Sequence, residues 1–178
     1  PSTCPISTMM PFRFRLTLSA AIIFLAGACA LLRAEDYAMM TQAGTSNVSG
    51  SADGSPGSFR NPYGIAIDAD RNLYVSDTLN NTIRKISPAK VMSTLAGSAG
   101  SLGDTDGIGD AARFNFPVGL AVDASGNVYV ADNKNSMIRK ITPAGVVSTY
   151  AGAPSQFGST DGPVATARFF LPFGVAVD

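Results

Sequence analysis

The sequence repeats itself with a period of 55 residues. Pro62, Pro117 and Pro172 are evenly spaced, and each opens the same phrase, Pro-x-Gly-(Ile/Leu/Val)-Ala-(Ile/Val)-Asp. Between residues 62–97 and 117–152, 21 of 36 aligned positions are identical. A period of this kind indicates supersecondary units stacked side by side, because each unit buries its apolar face against its neighbours.

Each full unit contains four short β-prone segments separated by turn sequences. In the first unit these are residues 64–68, 73–76, 83–86 and 91–95, and in the second they are 119–123, 128–131, 138–141 and 146–150. Four short antiparallel strands per unit are typical of a propeller blade. The sequence therefore predicts an all-β, partial β-propeller. Its complete blades are predicted at about 62–116 and 117–171, and its partial blades at 37–44 and 172–178.

Residues 62–86 and 117–141 resemble the NHL-repeat family. They carry its three blocks, Pro-x-Gly-(Ile/Val)-Ala-Val-Asp, Asn-(Leu/Ile)-Tyr-Val-Ala-Asp and Asn-x-x-Ile-Arg-Lys. The loop with Asp106-Gly107, Ala112-Arg113-Phe114 and Pro117 is similar to that of the bacterial exported branch, and the same residues recur from Asp161 to Pro172. The resemblance implies a propeller of about six blades whose inner strands line a channel. Because a closed propeller needs at least about four blades, we expect blades beyond those visible here.

An export signal is predicted at residues 9–34, within an upstream segment 1–34 that precedes the propeller segment 35–178. Arg13 and Arg15 form a basic region, Leu16–Ala28 is apolar, and small residues follow it. The apolar run is too short to cross a bilayer core of about 30 Å, so we expect cleavage rather than anchoring. Cys29 leaves a lipoprotein signal open as an alternative. The expected location is secreted, periplasmic or on the surface of a bacterial cell.

Charge argues against two classes of partner. Segment 35–178 holds ten basic and thirteen acidic residues, a net charge of −3. Such a domain lacks the basic patch that nucleic acid or anionic lipid requires. We therefore expect no nucleic-acid partner and no membrane span after signal cleavage. A protein or carbohydrate ligand is the expected partner.

Three carboxylates recur at the ends of the predicted inner strands: Asp68, Asp123 and Asp178. One interpretation is a ring at one mouth of the channel that binds a cation or a polar ligand. The other is that each caps the turn that follows it, since Asp-Ala-Ser-Gly-Asn is a turn sequence. We favour the capping interpretation because every unit carries this aspartate.

The loop 104–110 resembles a calcium-binding loop. Asp104, Asp106 and Asp110 lie within seven residues that also contain two glycines. A loop of the EF-hand type starting at Asp104 would place an acidic ligand at residue 115, where Asn115 stands instead. Calcium therefore stays a weak candidate, and no other cofactor is evident.

Other repeated residues are predicted to be structural. Asp77 with Asn80, and Asp132 with Asn135, are expected to lock a turn. Arg84 and Arg139 are expected to pair with such carboxylates at the surface, or with neighbouring carbonyls. Phe59, Phe114 and Phe169 are expected to plug the space between blades.

Two classes of function remain open from the sequence. The chain has no histidine, and both cysteines precede the repeats, so no catalytic residue is assigned. A binding or interaction scaffold is the leading hypothesis, since loops on a rigid scaffold are common binding sites. The alternative, implied by the resemblance, is a propeller hydrolase or lyase similar to lactonases or amidating lyases, with a metal site supplied by other blades.

Overall fold

The computed structural model describes residues 41–178, which form two antiparallel sheets. The predicted signal segment, and residues 37–40 of the first partial blade, lie outside the described residues. The first sheet contains β1 (Pro62–Ile67), β2 (Leu73–Asp77), β3 (Thr82–Ile86) and β4 (Met92–Ala96). The second contains β5 (Gly107–Ile108), β6 (Pro117–Val122), β7 (Val128–Asp132), β8 (Met137–Ile141) and β9 (Val146–Gly152).

Each sheet is a meander in which consecutive strands are neighbours. The order is β1-β2-β3-β4 in the first sheet and β5-β9-β8-β7-β6 in the second. A 3₁₀ turn at Thr78–Asn80 joins β2 to β3, and the matching turn at Asn133–Asn135 joins β7 to β8. A third 3₁₀ turn, Gly109–Ala111, follows β5. The predicted all-β, blade-like architecture is confirmed.

The two sheets share one register. Tyr74 pairs with Lys85 as Tyr129 pairs with Lys140, and both inner strands carry an irregularity after their opening proline. The inner strands begin at that proline and end one residue before the aspartate, whereas the sequence predicted strands that include the aspartate. The aspartate belongs instead to the turn that follows.

The short strand β5 was not predicted. Gly107 and Ile108 pair with Val147 and Val146 and so cover the outer edge of the second sheet. In the first unit the equivalent contact is a single bridge between Gly54 and Met92. The Gly/Asp-rich loop gave no strand signal, because glycine and aspartate are depleted in strands. Covering an open edge is a common way to prevent unwanted strand pairing.

The main apolar cluster lies between the two sheets. Tyr74 and Ala96 of the first sheet meet Leu120, Val128 and Val130 of the second. Phe114 is fully buried in this cluster, which confirms its predicted role as a plug between blades. Packing between the two sheets accounts for the apolar residues of β6 that enter this cluster, whereas Ile65 and Ile67 of β1 are 63% and 59% exposed.

The inner strands approach each other closely at glycine. A Cβ atom on Gly64 would overlap the carbonyl oxygen of Val118, and one on Gly119 would overlap that of Phe173. The Gly119 N–H donates a 3.0 Å hydrogen bond to the Phe173 carbonyl. Residues 172–178 therefore run beside β6, although they join neither sheet.

Replacing Gly119 with alanine is expected to destabilise the chain by about 1–3 kcal/mol, because the added methyl group forces the neighbouring backbone to move. Gly174 occupies the same repeat position, but a Cβ atom there would meet nothing within 4 Å. Gly174→Ala should therefore leave the free energy of unfolding nearly unchanged. Denaturant unfolding of both variants tests this, and equal midpoints would contradict the packing described.

Candidate functional site

The recurring aspartates after the inner strands cap their own turns. One Asp68 carboxylate oxygen accepts from the Asn72 N–H (2.8 Å), and the other accepts from Asn72 Nδ2 (2.8 Å) and the Tyr74 hydroxyl (3.0 Å). Asp123 repeats these bonds with Asn127 and Tyr129, and it also accepts from the Ser125 N–H (2.9 Å). Most of their acceptor capacity is thus used within the turn.

These aspartates line clefts in pairs. Asp68 and Asp123 border a cleft of about 220 Å³ between the turns of the two sheets. Asp123 and Asp178 border a larger one of about 720 Å³, beside the free face of the second sheet. The structure therefore places the three residues along one end of the sheets, and a ligand role for them stays a prediction.

Hydrogen bonding and burial shift the pKa values of the capping aspartates and of Tyr74. Burial raises the pKa of Asp68, but the bonds from Asn72 and Tyr74 outweigh it and hold the pKa below the ordinary value of 3.8. The side-chain bond from Asn127 likewise lowers the pKa of Asp123. Burial and the neighbouring Asp68 carboxylate raise the pKa of Tyr74 to about 12, so the phenol remains protonated and donates.

A buried arginine lies at the centre of the first sheet. Arg84 Nη1 donates to Asp77 Oδ2 and to the Ser58 carbonyl, both at 3.0 Å. Its Nη2 donates to Asp53 Oδ1 at 2.6 Å and to the Ala52 carbonyl at 2.9 Å. The Arg84 and Asp77 side chains are both fully buried, whereas Asp53 is half exposed.

The second sheet repeats this arrangement. Arg139 Nη1 donates to Asp132 Oδ2 (3.0 Å) and to the Arg113 carbonyl (2.9 Å). Its Nη2 donates to Asp106 Oδ1 (2.5 Å) and to the Thr105 carbonyl (3.2 Å). The guanidinium also lies 5.3 Å from the centre of the Phe114 ring. The predicted pairing of this arginine is confirmed, but its predicted position at the surface is wrong, because Arg139 is fully buried.

We call these two sets the arginine networks: Arg84 with Asp53 and Asp77, and Arg139 with Asp106 and Asp132. Each joins the loop that enters a sheet to the turn between its second and third strands. Asn80 and Asn135 extend the networks, since each donates to the buried aspartate three residues earlier (2.8 Å) and to a glycine carbonyl of the entering loop. The predicted turn lock is thus part of a larger connection.

The aspartates of the Asp-Gly pairs were not recognised as ion-pair partners in the sequence. The signal was available, since Asp53 and Asp106 recur in the loops that precede Arg84 and Arg139. Asp106 binds Arg139 and also accepts from the Thr149 N–H (3.1 Å). Within residues 41–178, no three His, Cys, Asp or Glu side chains group as metal ligands, so Asp104, Asp106 and Asp110 do not converge. Calcium at this loop stays a prediction.

The protonation of Asp132 depends on the balance between burial and its hydrogen-bond donors. Burial raises the pKa of Asp132 to about 6, while the Asn115 N–H, Asn135 and Arg139 act in the opposite direction. A carboxylate in this position needs its cationic partner, because a buried charge without one is strongly unfavourable.

The loops that enter the sheets, together with the 3₁₀ turns, form what we call the loop face. It comprises residues 43–61, 97–116 and 153–171 with Thr78–Asn80 and Asn133–Asn135. Bonds such as Asn80 Nδ2 to the Gly50 carbonyl (2.7 Å) and Asn133 Nδ2 to the Pro172 carbonyl (3.0 Å) hold these segments together. Large apolar side chains on this face are nevertheless exposed: Val48 54%, Leu79 40%, Leu102 67%, Phe157 63% and Phe170 69%.

Residues 114–141 match the family model of the NHL repeat. The chain is 32% identical over 113 residues to NHL repeat-containing protein 2 of Bos taurus. The aligned region covers 61% of this chain and 16% of that protein. Residues 114–141 therefore form an NHL repeat. The predicted resemblance is thereby confirmed.

Other relatives of this NHL-repeat chain are a plant protein and two bacterial ones. It is 39% identical over 83 residues to the chloroplastic protein SUPPRESSOR OF QUENCHING 1 of Arabidopsis thaliana. The aligned region covers 46% of this chain and 8% of that protein. A structural genomics protein of unknown function from Bacteroides thetaiotaomicron superposes with a TM-score of 0.62 at 33% identity, covering 74% of this chain and 32% of that one. An auxiliary nutrient binding protein from the same species superposes with a TM-score of 0.57 at 25% identity, and the match covers 64% of this chain and 32% of that one.

The NHL-repeat chain therefore spans about a third or less of the length of these relatives. Among its described residues, no helix is both long and apolar enough to cross a bilayer.

Replacing Arg139 with methionine is expected to destabilise the chain by about 3–5 kcal/mol, because Asp132 would be left buried without its partner. Lys140 is the matched control. It is the next residue on β8, half-buried, with its ammonium 5.7 Å from the Tyr129 ring. Lys140→Met should cost about 1 kcal/mol or less. Denaturant unfolding measures both, and equal losses would show that the arginine network is not a major support.

The double variant Asp68→Asn, Asp123→Asn is expected to be less stable than the wild type at neutral pH. A folded-state pKa below the unfolded value of 3.8 gives stability that is present above pH 3.8 and lost as the pH falls through the folded value. The difference between variant and wild type should therefore shrink in acid. Urea unfolding across this pH range tests it, and a constant difference would contradict the charged capping role.

Proposed function

We propose that this chain is part of a propeller outside the cytoplasm that binds a protein or glycan through its loop face. The observation that carries the proposal is the set of large apolar side chains held exposed on that face. Soluble proteins seldom gather exposed apolar residues without a binding role, although single ones are common. Here several occur on successive loops of one face.

The exposure of Leu102 supports this proposal most directly. This residue lies in the loop between the two sheets, so its surroundings include a complete blade on either side. It is nevertheless 67% exposed. The fold does not bury this side chain, and the equivalent residue of the first loop is the small polar Ser49. A role in contacting a ligand explains a leucine here better than packing does.

The rigidity of the loops supports the same proposal. Each arginine network fixes an entering loop at two backbone carbonyls and one carboxylate. Loops held in this way lose little conformational entropy on binding, which favours affinity. Binding residues commonly lie on loops positioned by a rigid scaffold.

The location outside the cytoplasm rests on the predicted signal at residues 9–34. A structural relative is an auxiliary nutrient binding protein of a bacterium, which accords with a ligand-binding role. The enzyme alternative would require catalytic or metal-binding residues from other blades, since residues 41–178 contain neither histidine nor glutamate. No feature of the described residues favours it over binding.

The experiment compares the retention of the purified full chain and two variants on Bacteroides thetaiotaomicron cell envelopes. The double variant Leu102→Ser, Phe157→Ser removes apolar side chains from the loop face and is expected to reduce retention at least about fivefold. Val91→Ser is the matched control, because Val91 is 49% exposed at the opposite end of the sheet. It should leave retention unchanged.

Envelopes treated with protease or with periodate, which oxidises sugars, separate a protein ligand from a glycan. No retention of the wild type, or equal retention of all three proteins, would overturn the proposed function.

A further inference from the structure

We propose that Phe157 and Phe170 form a stacking platform for a sugar ring, so that the ligand of the loop face is a carbohydrate. This inference rests on the proposed function and names its ligand class. The two rings lie in one loop, with centroids 6.2 Å apart and planes at 81°. In such an edge-to-face pair one ring presents its edge, and a face of the other remains free for stacking.

The exposure of Phe157 matches that of the equivalent residue in the preceding loop. Leu102 occupies the repeat position of Phe157 in the preceding loop and is 67% exposed, close to the 63% of Phe157. The positions that match Phe170 are Arg60, which is exposed, and Asn115, which is half-buried. The Phe157 position therefore faces solvent in both loops that have a complete sheet after them, and the Phe170 position does so in the first.

The fold does not require aromatic residues at these positions. The residues equivalent to Phe157 are Ser49 and Leu102, and those equivalent to Phe170 are Arg60 and Asn115. Both positions thus accept polar side chains elsewhere in the same chain. By contrast, Phe169 recurs as Phe59 and Phe114 and packs against the core. The adjacent pair of aromatics is specific to this loop, as a ligand contact would be.

Short-range bonds hold the platform in place. The Gly158 N–H donates to the Phe169 carbonyl (3.1 Å), which connects the two ends of the loop beside both rings. The Arg168 N–H donates to the Thr160 carbonyl (3.0 Å), and Arg168 Nη1 donates to the Ala167 carbonyl (2.8 Å). A platform fixed before binding costs little to order.

Polar groups suited to hydroxyls lie next to the rings. Gln156 precedes Phe157, and its Oε1 accepts from Arg168 Nε at 3.2 Å. This bond uses the amide oxygen and leaves the NH₂ group of Gln156 as a donor. A sugar offers an apolar ring face surrounded by hydroxyls, which matches an aromatic surface flanked by an amide and a guanidinium. Aromatic residues with a few placed polar groups are the usual composition of a ligand site.

The test is native affinity electrophoresis of the full chain through gels that contain starch, xylan, mixed-linkage β-glucan or galactan. At least one polysaccharide should retard the wild type. Phe157→Leu should weaken this binding about tenfold, equivalent to about 1.4 kcal/mol. The variant is expected to fold, because Leu102 occupies the same repeat position. Phe157→Tyr keeps the aromatic face and should retain the binding.

Tyr150→Leu is the matched control. Tyr150 is 45% exposed and forms its own edge-to-face pair with Tyr129 (5.1 Å), but it lies on β9 outside the platform. It should not alter retardation. Retardation of Phe157→Leu equal to that of the wild type would overturn the platform, and so would an absence of retardation in every gel.

The two proposals fail separately. Retention on envelopes that survives periodate but not protease would identify a protein ligand and overturn the carbohydrate inference, while leaving the binding function in place.

Discussion

The structure depends on burying one arginine in each blade between two carboxylates. A guanidinium without solvent is tolerated only when its charge is matched and most of its donors are paired. In Arg84 and Arg139 the charge is matched and the Nη1 and Nη2 donors are paired, with one aspartate from their own blade, one from the loop that enters it, and backbone carbonyls, whereas Nε of each is buried without a partner. The loop is therefore not a passive connection. Its path is determined by the need to bring Asp53 or Asp106 to the arginine, and this brings the rest of the loop to the same end of the sheet.

Glycine determines the spacing of the blades in the same way that arginine determines the path of the loops. Gly64 and Gly119 let the backbone of the next inner strand come within van der Waals contact, where a larger residue would not fit. The apolar cluster around Tyr74 and Leu120 then fills the space between the two sheets. Blade spacing and loop position are thus set by residues that recur at every repeat, so the loop tips can vary without disturbing either.

The repeat predicted most of this fold, because period, turn residues and short β-prone runs all agree. It did not predict burial of the arginines. Ile83-Arg84-Lys85-Ile86 alternates apolar and charged residues, which is the pattern of a strand with one wet face. Arg84 is instead buried under the loop that enters its sheet, where its partners Ser58, Asp53 and Ala52 lie 26 to 32 residues away in the sequence. The strand β5 was missed for a related reason, since pairing with β9 overrides the low strand propensity of Gly107. Asp68 and Asp123 behave as their turn sequences predict, because those bonds are local.

Some repeat positions carry the same residue in every unit, and others differ from one unit to the next. Where all units agree, as at Phe59, Phe114 and Phe169, the structure assigns a packing role. Where they differ and the side chain is exposed, as at Ser49, Leu102 and Phe157, packing gives no reason for the choice. The residue after the opening proline shows the same contrast, since Val118 is buried whereas Tyr63 and Phe173 are 56% exposed and pair edge to face at 5.1 Å. These positions, at which the repeats carry different residues, lie at the end of the sheets that bears the loop face. A scaffold built from equivalent blades thereby acquires an uneven surface, and a ligand that distinguishes one blade from the next would bind there.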